Sequence, residues 1–191
     1  MESDLHGHES RQHRAKPLST QDVHRKLQID GYYILLPQSW QTHGQARIFI
    51  YIKDGIQVKE RKLAHTDTDL PSISFELGLS REKKTCFNFY YREFTGGISG
   101  LNDLASQAER LNRQIVHWKT LYKDNRDVVI LGDSNLCAKK WDDINYTLKD
   151  FSNKVQDFLL EEASTQLVRE YTRSELVAGV VQSSCIDHLL L

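Results

Sequence analysis

Residues 127–135 read D-V-V-I-L-G-D-S-N, an apolar run that halts on glycine, a carboxylate, a hydroxyl and an amide. Val128, Val129, Ile130 and Leu131 have the unbroken, largely β-branched character of a strand covered on both faces. Gly132 ends that run and lets backbone approach closely, as glycine at a strand end does. On extended backbone, residues two apart share a face, so Asp133 and Asn135 are predicted to project together from the strand's carboxyl end. That is the edge where open α/β sheets hold their ligands. The competing reading is plainer: Asp, Ser and Asn are ordinary turn formers, and a buried strand can simply end in a polar turn.

Working outward, residues 101–122 place Leu101, Leu104, Ala108, Leu111, Ile115, Trp118 and Tyr122 at steps of three and four, with charged residues between them. This is an amphipathic helix with one apolar stripe, capped near Ser99 or Asn102 and suited to packing on a sheet. A second helix is predicted over 148–162, with Leu148, Phe151, Val155, Phe158 and Leu159 facing inward. Strands are predicted at 30–36, 46–53, 57–60, 72–77, 85–92, 166–170 and 184–191, and Asp54-Gly55 is a hairpin signal. A run of strands followed by alternating helices and strands suits a mixed α/β fold, with sheets inside and helices outside.

The composition, 39% hydrophobic and 27% charged over 191 residues, is that of one soluble domain. With 25 basic and 26 acidic side chains, the net charge of −1 excludes a polyanion-binding surface over the whole molecule. Residues 1–20 are polar and lack any sustained period, so they read as a loosely ordered leader before a domain over 21–191. His6 and His8 there make an H-x-H pair, a weak signal for a metal without further clustered ligands. Cys86, Cys137 and Cys185 are odd in number and widely spaced, which suggests free thiols in a reducing compartment. No apolar run reaches membrane-spanning length and the first residues carry no secretion signal, so an intracellular location without a membrane partner is expected.

Polar clusters interrupt this framework at Glu2, at Tyr91-Arg92, at Asp133 and Asn135, and at Asp187-His188. Asp187 lies in an otherwise apolar C-I-D-H-L-L-L, where a carboxylate is costly to bury without a partner. Taken in order, the series resembles the endonuclease/exonuclease/phosphatase superfamily, and within it the endonuclease domain of non-LTR retrotransposons. V-V-I-L-G-D-S-N at 128–135 is similar to that family's signature strand, F-Y-Y-R at 89–92 to its Y-R pair, and T-R at 172–173 with S-C-I-D at 184–187 to its closing motifs. Q-A-E-R-L-N-R-Q-I-V-H-W at 107–118 looks like its helix, and M-E-S-D-L at 1–5 like its metal-binding glutamate segment.

The resemblance implies a DNase I-like fold, a two-sheet sandwich flanked by helices, and a magnesium- or manganese-dependent phosphodiesterase that nicks DNA. It implies Glu2 as metal ligand, Asp133 orienting or deprotonating the attacking water, and Asn135 holding the phosphate or that water. Tyr91 would donate to the phosphate, and Arg92 would offer its fork to a phosphate oxygen or a carboxylate. Asp187 would orient a histidine further along the chain, while His188 belongs to the strand and is not that histidine. A full-length relative would also carry a reverse transcriptase. The family pattern has an Asn-bearing strand before the glutamate and S-D-H after the I-D strand, neither of which occurs in these residues. On that pattern 21–191 is a partial domain, and the alternative to a nuclease is a non-catalytic remnant with at most a binding role.

Overall fold

The computed structural model describes residues 27–43, 47–64, 68, 70–78, 84–92, 101–124, 127–177 and 180–191. Glu2, the His6/His8 pair, the leader at 1–20 and the cap at Ser99 lie outside them. In chain order the elements are β1 (Tyr32–Leu35), α1 (Gln38–His43), β2 (Ile50–Lys53), β3 (Val58–Arg61), β4 (Ser72–Gly78), β5 (Lys84–Tyr91) and α2 (Leu101–Asp124). They continue with β6 (Asp127–Asp133), a 3-10 turn (Ala138–Lys140), α3 (Lys149–Glu161), β7 (Arg173–Val177), β8 (Val180–Ser184) and β9 (Asp187–Leu190).

The strand of the opening motif, β6, is interior to a five-stranded sheet of order β3-β4-β5-β6-β9. It runs parallel to β5 and antiparallel to β9. Parallel neighbours need a long crossover, and α2 supplies it. Alternation along β5, β6 and β9 then sorts the side chains. Cys86, Tyr90, Val128, Ile130 and Leu190 enter one core with Leu111, Ile115, Trp118 and Leu121 of α2 and Val155 and Phe158 of α3. Trp118 is fully buried there, its ring 5.3 Å from Phe158 and 4.8 Å edge-on from Tyr90. Phe87 and Phe89 take the other face, packing with Ile73 and Phe75 against Ile52, Leu35 and Ile50 of the separate β1-β2 pair. The result is the expected mixed α/β fold, with layered sheets and helices outside.

Several local expectations change. The D-G turn at 54–55, with Gly55 at φ 87°, does not close a hairpin: β2 pairs with β1 and β3 with β4, where Arg61 meets the carboxylate of Glu76. The predicted strand 166–170 reduces to one bridge from Gln166 to Leu190, because 165–167 simply run along β9. The predicted strand 184–191 breaks at Cys185-Ile186, where the backbone turns to bond Ser134, Ala138 and Thr172 instead of a sheet neighbour. Its first residue, Ser184, instead ends β8, which pairs with β7 in a hairpin absent from the predicted strands.

The stripe of α2 also differs. Leu104 is 44% exposed, while Gln107, Gln114 and His117 are buried. They are buried because the sheet presents partners. His117 Nε2 lies 2.9 Å from Ser74 Oγ, Gln114 Nε2 donates to Ser72 Oγ at 3.4 Å, and Asn88 Nδ2 donates to Ser72 and Ser74 at 2.7 Å each. Trp118 Nε1 donates to Asn88 Oδ1 at 2.8 Å and completes the layer. Each buried polar group thereby has a partner to replace water, which makes the layer tolerable inside a core.

Candidate active site

Because β5 and β6 are parallel, their carboxyl ends share one edge, and β9 begins there. The register aligns Tyr91 with Asp133 and Asp133 with Asp187. All three therefore lie in one row across three strands, on the face opposite α2. One step back in register, Tyr90, Gly132 and His188 form the corresponding row on the helix side. Gly132 is required for this arrangement: a Cβ at that position would sit 2.0 Å from the Tyr90 carbonyl oxygen. The glycine of G-D thus lets the strands stay paired where the carboxylate begins.

The turn after β6 is fastened from both sides. Asn135 adopts φ 51°, in the left-handed region that asparagine tolerates better than most residues. Its N–H donates to Asp133 Oδ1 at 2.8 Å, and its Nδ2 donates to the Arg92 carbonyl at 2.7 Å. Asp133 and Asn135 do meet, but not as two residues of one extended strand: β6 ends on Asp133, and Asn135 returns through a turn closed by the aspartate side chain. Ser134 is buried, its N–H donating to Ile186 O at 2.9 Å and its Oγ lying 3.1 Å from His188 Nε2. On the β9 side, Thr172 Oγ1 accepts the N–H of Ile186 at 3.1 Å and of Asp187 at 3.2 Å.

Arg92 is 7% exposed, and its guanidinium is engaged by the protein. Nε donates to Ser134 O at 2.5 Å, one terminal nitrogen to Gln107 Oε1 at 2.9 Å and the other to Asn135 O at 3.2 Å. The guanidinium also stands 5.2 Å above the Phe151 ring. The fork expected to meet a phosphate instead clamps the 134–135 turn to α2 and α3. Gln107, the residue that anchors it, is not among the stripe positions that the periodicity picks out. Its spacing of four from Leu111 was the available signal.

The electrostatics single out Asp133. Burial raises its carboxyl above the usual carboxylate value and Asp187 opposite adds to this, while the Asn135 N–H and the Arg173 and Arg92 cations pull it down. His188, 2% exposed, points the other way. Its Nε2 lies 3.0 Å from Leu136 O, its ring packs edge-on 5.1 Å from Trp141, and burial lowers its pKa to about 4. It is a neutral core residue, as its place in the strand suggested. Asp187 and His188 are adjacent in sequence but on opposite faces, so one cannot orient the other across the row. Among the described residues, no group of three or more His, Cys, Asp or Glu side chains forms a metal cage. Two facing carboxylates are nonetheless hard oxygen donors of the kind magnesium takes alongside water and phosphate.

A mixed sheet layered with outer helices defines the class as a DNase I-like α/β fold. Among solved structures, the chain is similar to the endonuclease domain of TRAS1, a telomere-specific non-LTR retrotransposon, with TM-score 0.57 and 16% identity. The match covers 85% of this chain and 67% of that one, and the likeness is one of fold. Comparison by sequence finds no matching family model and no matching curated protein. No helix among the described residues is long and apolar enough to cross a membrane.

Proposed function

We propose that the Tyr91–Asp133–Asp187 row is the reacting edge of a phosphodiesterase that nicks DNA with magnesium or manganese, in the manner of a retrotransposon endonuclease. The observation that carries this reading is the shared register of the three side chains on one open face, with Asp133 held by the Asn135 turn. Asp133 takes the role of base toward the attacking water. A carboxylate with a raised pKa is a better base near neutral pH than an ordinary one. Tyr91 donates its hydroxyl to a phosphate oxygen. Asn135 and Arg92 are positioning residues: the first orients the Asp133 carboxylate and the second fixes the turn. Asp187 sets the field opposite Asp133. Glu2, by the resemblance of its segment, would hold the metal, which when bound would supply charge neutralisation at the phosphoryl oxygens. A reverse transcriptase carried by the same full-length polypeptide fits this reading.

A second reading is a surface that binds DNA without cutting it, with the Arg92 guanidinium already taken up by Gln107 and the 134–135 turn. Relaxation of supercoiled plasmid with magnesium, alongside DNA binding by anisotropy, separates the two. The nuclease reading expects metal-dependent nicking by the chain, reduced at least about a hundred-fold by Asp133→Asn with the circular dichroism spectrum unchanged. Binding without nicking selects the second reading. Neither activity, or nicking indifferent to Asp133→Asn, overturns the assignment.

A further inference from the structure

Two of the three cysteines meet directly behind the acidic row. Cys137 follows the Asn135 turn, Cys185 precedes Asp187, and both are buried. The Ala138 N–H donates to the Cys185 carbonyl at 2.9 Å, and the Cys185 N–H donates to Cys137 Sγ at 3.4 Å. With Ser134 N–H on Ile186 O at 2.9 Å, these bonds hold the two segments side by side. The Cys137 sulfur thus already lies against the Cys185 main chain. A disulfide bridges Cα atoms about 4.4–6.8 Å apart, and a sulfur in contact with the partner's backbone N–H is placed for that reach. Cys185 Sγ now leans on Val168 O at 3.5 Å, a weak contact that it can release. Cys86 is elsewhere, sealed in the core under α2.

We propose that Cys137 and Cys185 form a reversible disulfide that ties the Asn135 turn to the segment leading into Asp187, a redox-sensitive clamp at this edge of the sheet. The oxidant is a hydroperoxide. One thiolate attacks a peroxide oxygen, breaking the O–O bond, forming a sulfenic acid and releasing hydroxide. The second thiolate attacks the sulfenic sulfur, forming the S–S bond and expelling hydroxide. Two thiols have then lost two electrons and two protons, and hydrogen peroxide has become two waters. The bond does not depend on whether this edge cleaves DNA, so its test can fail while that reading stands.

The test treats the folded 191-residue chain with hydrogen peroxide, blocks remaining thiols, and maps peptides without reduction. The expected result is a Cys137–Cys185 linked peptide, two hydrogens lighter than its parts and lost on adding dithiothreitol, with Cys86 left as a thiol. The oxidised protein should also melt at a higher temperature than the reduced one, because the link closes a long loop in the unfolded chain. Cys86→Ala should keep both effects, and Cys137→Ala or Cys185→Ala should lose them. The wild-type peptide map decides the matter even if a variant fails to fold. Conversion of either thiol to sulfinic acid without linkage, linkage through Cys86, or a link that lowers the melting temperature would overturn the proposal.

Discussion

The two faces of the central five-stranded sheet treat polar side chains in opposite ways. On the helix side, Ser72, Ser74, Asn88, Gln114, His117 and Trp118 bond to one another and are nearly sealed from water. On the other side, Tyr91, Asp133 and Asp187 line up at the edge, with Asp187 exposed and Asp133 raised by its surroundings. Buried polar groups that satisfy one another specify packing. Like charges brought face to face at an accessible edge oppose stability, and such clusters mark sites where charge is to be used. The closed face holds the fold, and the open edge is where chemistry is expected.

This contrast can be broken from the closed side first. Trp118→Ala removes a fully buried indole, its ring contacts with Tyr90 and Phe158, and the donor to Asn88. A loss of about 3–5 kcal/mol is expected, measured as a fall in the urea midpoint. A loss under about 1 kcal/mol would mean that the layer is not the core it is described as.

Acid titration gives the next largest effect. His117 and His188 are neutral when folded, with pKa lowered from 6.5 to about 4 by burial. Between those values the unfolded chain binds protons that the folded chain does not, so stability falls as pH drops from about 6.5 toward 4. Each histidine accounts for on the order of 3 kcal/mol over that window. Asp133, with its carboxyl raised, works in the opposite sense. His117→Gln should therefore flatten the decline measured by urea unfolding at successive pH values, and an unchanged slope would refute the assignment.

Gly132→Ala tests the join between the faces, and its expected effect is the smallest. A methyl 2.0 Å from the Tyr90 carbonyl must push β5 and β6 apart, costing roughly 1–3 kcal/mol in thermal or urea unfolding. The shift should appear at Tyr91 and Asp133 amide resonances and leave the β1-β2 pair unmoved.

What the sequence made legible follows from the same contrast. Apolar periodicity carries the strand at 127–133 and both long helices, because burial repeats at fixed steps in each. The convergence of Tyr91, Asp133 and Asp187 was read from motif order, and strand register supplies the reason. Side-chain partners were not legible. Gln107, Gln114 and His117 look like a solvated helix face until Arg92, Ser72 and Ser74 are placed against them. Arg92 beside a tyrosine reads equally well as a phosphate fork or a surface charge, and only the carbonyls of Ser134 and Asn135 reveal a clamp. The β7-β8 hairpin escaped because its residues are mostly exposed and lack a buried face to set a period.

Titration of manganese into isotope-labelled protein, followed by paramagnetic broadening of backbone amides, tests the central claim most directly. The account predicts broadening centred on Tyr91, Asp133, Asn135 and Asp187, with His117 and the α2 side of the sheet spared and the effect weakened by Asp133→Asn. Broadening centred on any other surface, or unchanged by Asp133→Asn, would contradict it.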